Sequence, residues 1–214
     1  MRRAILTLAL TAAVASPALA QSRPQNLQPT RDVAVTYRMV GPQAGAPGTP
    51  GELGIAVLAA EGRMRVDLPP MAPGMVMWGL TDMRTGQTSV VMESMRMVMP
   101  NAAGADVAKA LRMAEGARMT RTGNATYAGQ ACTNWRFENG NDRGTACLTD
   151  DGVMLRAAND AGQGMEATRV EYARQDPARF RVPEGYRTMS MEDMMRSMGG
   201  PGGAGGLPPS QPRR

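Results

Sequence analysis

The sequence predicts a mainly β protein of the α+β class, built on a mostly antiparallel sheet with one crossing helix. Three observations lead to this fold class. Apolar and polar residues alternate in many short segments, as they do in strands that bury one face. Residues that favour turns separate these segments. One stretch alone places its apolar residues at helical spacing.

Six strands are predicted in the first half of the chain. The first carries Val33, Val35, Tyr37 and Met39 on one face and precedes a loop rich in glycine and proline over residues 41–51. The strands that follow each end at a turn signal, such as Pro69-Pro70. They are predicted at Leu53–Ala59, Arg63–Leu68, Met75–Thr81, Gln87–Met92 and Met95–Met99.

The apolar period changes after Pro100. Val107, Ala110, Leu111 and Ala114 recur at helical spacing, and Gly116 is placed to end that helix. Alternation then resumes, which predicts a second group of strands. These strands are expected at Arg118–Gly123, Ala125–Glu138, Gly144–Thr149, Val153–Ala157 and Met165–Tyr172.

Residues 1–20 have the pattern of a secretory signal peptide. Arg2 and Arg3 precede an apolar run, and Ala18-Leu19-Ala20 forms a small-residue cleavage site before Gln21. The apolar run is shorter than the roughly 20 residues that a membrane span requires. We therefore expect a protein exported to the bacterial periplasm, with no transmembrane segment in the mature chain.

The two cysteines, Cys132 and Cys147, are predicted to form a disulfide bond, because the periplasm is oxidising. Asn139-Gly140 is a strong signal for a two-residue hairpin turn. Pairing about that turn sets Glu138 opposite Asn141 and, by the same count, Cys132 opposite Cys147. The same count sets Trp135 over Gly144 on the partner strand.

The composition excludes several classes of function. The chain has no histidine, so serine–histidine triads, a histidine general base and the common histidine-based metal sites are absent. Its formal net charge of +5 is spread along the chain and does not indicate nucleic acid. Adjacent acidic pairs such as Asp150-Asp151 are explained as turns. We expect a protein that is not an enzyme and uses no cofactor.

The chain divides into four parts by composition. Residues 1–20 are the signal peptide, and residues 21–30 are predicted to be a flexible polar arm. Residues 31–198 form a single β domain, a length typical of one domain. Residues 199–214 are rich in glycine and proline and are predicted to be a disordered tail.

A set of short motifs in this domain resembles a family of secreted bacterial domains of unknown function. The most specific is D-P-x-x-F-x-x-P-x-G-Y at 176–186, and Gly129-x-x-Cys132 and the run 150–155 (DDGVML) precede it. That family is similar to the half-barrel of periplasmic lipoprotein carriers of the LolA and LolB type. The resemblance implies a curved antiparallel half-barrel with one or two helices on its concave side. It also implies an apolar concave face that holds an acyl chain or a protein segment.

Methionine is unusually frequent, with 20 residues in the chain. Ser190-Met191-Glu192-Asp193 has the form of a helix N-cap box, and methionines at helical spacing follow it, so a short helix with one methionine face is expected. The methionines fall into three groups: Met71, Met75 and Met77; Met92, Met95, Met97 and Met99; and Met189, Met191, Met194, Met195 and Met198.

Three explanations of the methionines remain open. They can be unbranched core filler without any function. They can line a groove for an apolar ligand, which is the role we assign to a lipid or a lipoprotein segment, with the terminal helix as a cover. They can also bind Cu(I), for which Met92, Met95, Met97 and Met99 are the candidates. The predicted ligand contacts are Met75, Met77, Trp78, Met95, Met97, Met99, Trp135, Phe137, Met191, Met194, Met195 and Met198.

Overall fold

The fold is given by a computed structural model, which describes residues 23–42, 44–46, 51–70, 74–101, 116–190, 192–193 and 196. Its strands are β1 (Val33–Val40), β2 (Glu52–Leu58), β3 (Arg63–Leu68), β4 (Met77–Asp82), β5 (Thr88–Met92), β6 (Met97–Pro100), β7 (Arg118–Tyr127), β8 (Gln130–Asn139), β9 (Asp142–Leu148), β10 (Met154–Asn159), β11 (Gly164–Glu171) and β12 (Arg187–Thr188). Short 3₁₀ turns lie at Ala59–Glu61 and Pro177–Phe180.

The strands form one 12-stranded open, curved sheet in the order β12-β6-β5-β4-β3-β2-β1-β11-β10-β9-β8-β7. Strands β1 to β6 make one antiparallel meander and β7 to β11 make another, and the β1–β11 ladder joins them. Among the strands of the described residues, only the two-residue strand β12 pairs in parallel, against β6. The prediction of a mainly β, curved antiparallel sheet is therefore confirmed.

Two predicted elements, a helix and a long strand, do not correspond directly to elements of the described structure. The helix expected around Val107–Ala114 lies outside the described residues. The run Ala125–Glu138, predicted as one strand, is the end of β7, a turn and β8. Ala128 and Gly129 both have positive φ, at 47° and 73°, as a type I′ turn requires. The alternation of apolar and polar residues continues through this turn, which is why a single strand was predicted there.

The β8–β9 hairpin has a register two residues from the predicted one. Asn139 pairs with Asp142, so the turn residues are Gly140 and Asn141 rather than Asn139 and Gly140. Gly140 has φ 60° at the first turn position, where a type II′ turn needs glycine. As a result Trp135 lies opposite Ala146 and not over Gly144.

The two cysteines form a disulfide bond despite this register. Cys147 pairs directly with Asn134, yet the Cα atoms of Cys132 and Cys147 are 5.5 Å apart and their sulfurs are bonded. A slip of two residues leaves each side chain on its original face of the sheet, whereas a slip of one would reverse it. The bond closes a loop with a sequence separation of 15, which stabilises the fold by about 3 kcal/mol.

Residues 23–30, within the segment 21–30 that was predicted to be a flexible arm, contact the rest of the fold. The Asn26 side chain donates to the Asp150 carbonyl at 2.9 Å, and the Thr30 N–H donates to the Asp151 carbonyl at 3.0 Å. Leu27 packs against a small cluster that contains Trp135 and Leu148. The polar composition of the arm does not predict these contacts, because the hydrogen-bond acceptors of the arm's donors are backbone carbonyls of the β9–β10 turn, which a sequence pattern does not show.

Candidate functional site

A cluster of methionines lies at the β4–β5–β6 end of the sheet. Met92, Met97 and Met99 are 4%, 6% and 7% exposed, and Met77, Val90 and Met189 pack around them. We call these six residues the methionine cluster. Met77 pairs with Met92 and Met92 pairs with Met97, so one methionine from each of three adjacent strands falls in a single row. Neighbouring strands are about 4.8 Å apart, which brings these side chains into contact.

Two predicted methionines are separate from this cluster. Met95 is 44% exposed in the turn between β5 and β6, where the Arg96 N–H donates to the Glu93 carbonyl at 3.0 Å. Strand β6 begins only at Met97, so Met95 does not share a strand face with Met97 and Met99 as the alternation suggested. Met75 precedes β4 and is half-buried.

Trp78 is fully buried on the opposite face from Met77, because successive strand residues point to opposite faces. It packs with Leu80, Val91 and Val98. Its indole N–H donates to Glu93 Oε1 at 2.9 Å, and the Arg65 guanidinium lies 4.1 Å from the ring centre. The structure therefore separates Trp78 from the methionines with which the sequence grouped it.

The segment Asp176–Tyr186 covers the Trp78 face. Phe180, at the end of its 3₁₀ turn, is completely buried against that cluster, and Val182 and Tyr186 pack beside it. Asp176 starts the turn by accepting a hydrogen bond from the Ala178 N–H at 2.9 Å. The most specific sequence motif of the chain thus has a structural role here, since its aspartate caps a turn and its phenylalanine completes a core.

An arginine fastens this segment to the sheet. Arg65 donates to the carbonyl of Arg179 at 3.0 Å and to Asp67 Oδ1 at 2.6 Å while it stacks on Trp78. Arg179 in turn lies 3.5 Å from Asp67 Oδ2. Sequence analysis did not identify Arg65, because nothing in a strand pattern distinguishes it from its neighbours Arg63 and Asp67.

Trp135 and Phe137 lie in a third cluster, separate from the methionine cluster and from the cluster around Trp78. They pack with Ala117, Met119 and Leu148. A cavity of about 230 Å³ opens beside Trp135 and is bordered by polar residues of β7, β8, the β9–β10 turn and the arm. The residues that line it are Arg23, Pro24, Gln25, Arg121, Thr133, Trp135, Leu148, Thr149 and Asp150.

The predicted covering helix is described only in part. The Ser190 hydroxyl accepts a hydrogen bond from the Asp193 N–H at 3.0 Å, as a helix cap does, and residues 192, 193 and 196 are helical. This start lies directly after Met189, which contacts the methionine cluster. Met191, Met194, Met195 and Met198 lie outside the described residues, as do residues 1–20, which were predicted to be a signal peptide.

Asp151 and Tyr37 are two of the ionisable groups outside the methionine cluster that have displaced pKa values. Partial burial raises the pKa of the Asp151 carboxyl, but hydrogen bonds from Thr149 and Arg31 and the charge of Arg31 outweigh it and hold the pKa below its usual value. Burial raises the pKa of the Tyr37 phenol well above its usual value. The Tyr37 hydroxyl donates to the Met154 carbonyl at 2.6 Å. Both groups have clear structural partners.

The described residues contain no group of three or more histidine, cysteine or acidic side chains placed to hold a metal ion. In the same part of the chain, no helix is both long enough and apolar enough to cross a membrane. The feature that stands out chemically is therefore the methionine cluster.

No family model and no curated protein matches this chain. An uncharacterized conserved protein from Thermus thermophilus is similar to it, with a TM-score of 0.50 and 8% identity over 75% of this chain and 91% of that one. PNGF-II has a TM-score of 0.49 and 10% identity, over 78% of this chain and 33% of that one. MucB, from the MucA/MucB complex of Pseudomonas aeruginosa, has a TM-score of 0.33 and 14% identity, over 71% and 56%.

The similarity to the Thermus thermophilus protein extends over most of both chains and supports the fold class alone. The class defined here is that of open, curved, mostly antiparallel sheets. Within it, the predicted ligand residues that the structure describes, apart from Met75 and Met95, occupy three places: the methionine cluster, the Trp78 face under residues 176–186, and the Trp135 cluster.

Proposed function

We propose that this protein acts in the periplasm without catalysis and holds an apolar ligand, the acyl chain of a lipid or an apolar segment of a lipoprotein, against the methionine cluster. The observation that carries this proposal is the row Met77, Met92 and Met97, with Met99 and Met189 around it. The resemblance of the sequence to lipoprotein carriers supports the choice of an acyl ligand.

Methionine suits such a site because of its flexibility. The side chain is unbranched and polarizable, so it repacks around ligands of different shape. Leucine and isoleucine are branched and have fewer rotatable bonds, so they repack less readily, although they also offer an apolar surface. A ligand would replace contacts among the methionines with contacts to its own chain, at roughly 25 cal/mol for each Å² of apolar surface that it buries.

Access to the cluster would come from the β12 edge of the sheet. Strand β12 has only the two residues Arg187 and Thr188. Two backbone hydrogen bonds hold this segment to β6 and the turn before it. The Arg187 N–H donates to the Arg96 carbonyl at 2.9 Å, and the Met189 N–H donates to the Val98 carbonyl at 3.0 Å. So short a ladder can open at little cost compared with the longer ladders of the sheet. The buried methionines would then become accessible to a ligand.

Binding of a pyrene-labelled fatty acid tests the proposal. We expect wild-type protein to raise the fluorescence of the probe, and Met189→Glu to weaken binding at least about tenfold, because it places a carboxylate at the rim of the cluster. Met165→Glu is the matched control, since Met165 is also half-buried but packs against the central core. Equal binding by wild type and Met189→Glu would reject this site.

The periplasmic location rests on the predicted signal peptide and is consistent with the Cys132–Cys147 disulfide bond. Cell fractionation tests it directly. The mature chain should appear in the periplasmic fraction and begin at Gln21. Recovery of a chain that retains residues 1–20 in the cytoplasmic fraction would contradict this location.

Cu(I) binding is a second candidate function. It is favoured by the row of Met77, Met92 and Met97, because three adjacent strands each contribute a thioether to that row. Thioethers are soft ligands that select Cu(I). Triple replacement of Met92, Met97 and Met99 by leucine separates the two functions. The acyl-ligand proposal expects fatty-acid binding to persist in the variant, whereas a copper site would be lost. If the wild type binds neither probe, a structural or regulatory role in the cell envelope is left.

A further inference from the structure

Strand β7 is the long edge strand of the sheet that the described residues form. Strand β7 is ten residues long and stands last in the strand order, and among the described residues it pairs with β8 alone. The opposite edge is β12, which has two residues. An edge strand presents unpaired backbone N–H and C=O groups, which makes it a template for an additional strand.

Strand β7 has two of the devices that keep edge strands from pairing, exposed charged side chains and one bulge, but it is long and lacks proline. It contains no proline and no acidic residue, and six of its ten side chains are exposed. A register shift between Arg121 and Gly123 bends it once. On either side of that bend, residues 118–121 and 123–127 run in regular register with β8. Each portion is long enough to pair with a short extended segment.

The charge of this edge is positive. Arg118 and Arg121 are exposed, and Arg121 is fixed by a hydrogen bond of 2.9 Å from its guanidinium to Asn124 Oδ1. Glu138 lies opposite Arg118 on β8, but its carboxylate is 4.0 Å from Arg136. The edge strand itself therefore presents two positive charges and no negative one.

These charges select the kind of strand that can add. A second copy of β7 would bring four arginines and no carboxylate into one two-stranded interface, which is electrostatically unfavourable. An acidic segment would complement both arginines. We propose that the outer edge of β7 is a docking site for an extended acidic segment of a partner protein, which adds to the sheet as a thirteenth strand.

The backbone of β7 would supply most of the affinity for the added strand, and the two arginines would supply the selectivity for its charge. Main-chain hydrogen bonds from β7 to the added strand are independent of its sequence. Arg118 and Arg121 would favour glutamate or aspartate over lysine, and this preference should weaken as salt rises, because both side chains are exposed. The site is distinct from the methionine cluster, which lies at the other end of the sheet.

The test uses three synthetic peptides with blocked ends and a threonine–valine centre. One carries glutamates at both ends, one carries lysines there, and one has the glutamates together with an N-methyl group on every central amide, so that neither of its edges can donate hydrogen bonds. Fluorescence anisotropy should detect binding of the acidic peptide alone. The N-methylated peptide has the same charge but cannot complete the ladder, so its binding should fall to that of the lysine peptide.

Charge reversal provides the second arm. Arg118→Glu combined with Arg121→Glu should weaken the acidic peptide at least about tenfold and make the lysine peptide the better ligand. That gain of binding cannot come from a misfolded protein. The proposal is overturned if the wild type binds none of the peptides, if it binds the N-methylated peptide equally well, or if it forms dimers that the charge reversal abolishes.

Discussion

Phe137 on β8 lies directly opposite Gly144 on β9, and its Cζ atom would be 2.7 Å from a Cβ atom placed on that glycine. The same Cβ atom would also lie 2.3 Å from the Ala158 carbonyl oxygen on the next strand. Both distances are shorter than van der Waals contact, so any side chain at position 144 must displace a neighbour. Glycine is therefore required at this point of the sheet.

Gly144→Ala should lower the free energy of unfolding by about 1–3 kcal/mol, because the backbone of β10 cannot move aside without breaking its ladder. Urea unfolding followed by circular dichroism measures the change. Gly51→Ala is the control, since nothing lies within 4 Å of a Cβ atom there. Equal stability of the two variants would show that the β9–β10 contact relaxes freely.

Tyr37 should make the protein lose stability at alkaline pH. Its phenol is buried, and burial raises its pKa above the ordinary value of about 10, so the folded state holds this proton more tightly than the unfolded state. The stabilisation is complete below pH 10 and is lost as the pH rises through the folded pKa. Urea unfolding at pH 8 to 11 should show this loss, and Tyr37→Phe should remove it.

Tyr37→Phe also carries a cost at neutral pH. The Met154 carbonyl loses the hydrogen bond that the Tyr37 hydroxyl donates at 2.6 Å, so a loss of about 1–2 kcal/mol is expected. Tyr172→Phe is the comparison, because Tyr172 has a raised pKa but is less buried. If the alkaline loss disappears only in Tyr172→Phe, the assignment to Tyr37 is wrong.

Asp151 should stabilise the fold above its ordinary pKa of about 3.9 and lose that contribution in acid. Its carboxylate lies 2.6 Å from Arg31 Nε and accepts from the Thr149 hydroxyl at 2.5 Å, which lowers its folded pKa. Asp151→Asn should cost about 1 kcal/mol at pH 7. The difference from wild type should shrink as the pH falls from 5 to 2. Asp150→Asn should have little effect at any pH, since Asp150 is exposed.

Phe180 should be the main anchor of the segment that crosses the Trp78 face. It is fully buried, so Phe180→Ala should cost about 3–5 kcal/mol and expose Trp78 to water. A red shift of tryptophan emission in native buffer would report that exposure. Arg181→Ala, one residue further along, removes an exposed side chain and should change stability by less than about 0.5 kcal/mol. A large effect of Arg181→Ala would show that charge, not burial, holds the segment.

The sequence predicted which stretches are strands, because alternation of apolar residues reports a half-buried face directly. It did not predict which strands are adjacent at the centre of the sheet. Pairing of β1 with β11 depends on contacts between residues far apart in the chain, and no local pattern records them. The register of β8 and β9 was predicted wrongly because Gly140 can occupy either of two hairpin turns. It can be the second turn residue after Asn139, as predicted, or the first turn residue before Asn141, as the structure has it.

The candidate site was predicted in part. Met77, Met97 and Met99 were among the predicted ligand contacts and Met92 was a Cu(I) candidate, but only the ladders reveal that Met77, Met92 and Met97 lie in one row across three adjacent strands. Trp78 was grouped with Met77 because the two are adjacent in sequence, although adjacency in a strand puts them on opposite faces. Met95 was placed on the strand because a short turn interrupts the methionine pattern without changing its composition.

The central ladder between β1 and β11 has a consequence for assembly of the molecule. Each meander consists of neighbours in sequence, so its hairpins can form soon after synthesis or export. The pairing of Ala34 with Glu171 requires nearly the whole chain to have emerged. Until then β1 and β11 are themselves exposed edges, at which incompletely folded chains aggregate. Pulse-labelled hydrogen exchange during refolding should therefore show protection last at those amides of β1 and β11 that bond across their shared ladder, whereas the amides that bond to β2 and β10 are protected earlier.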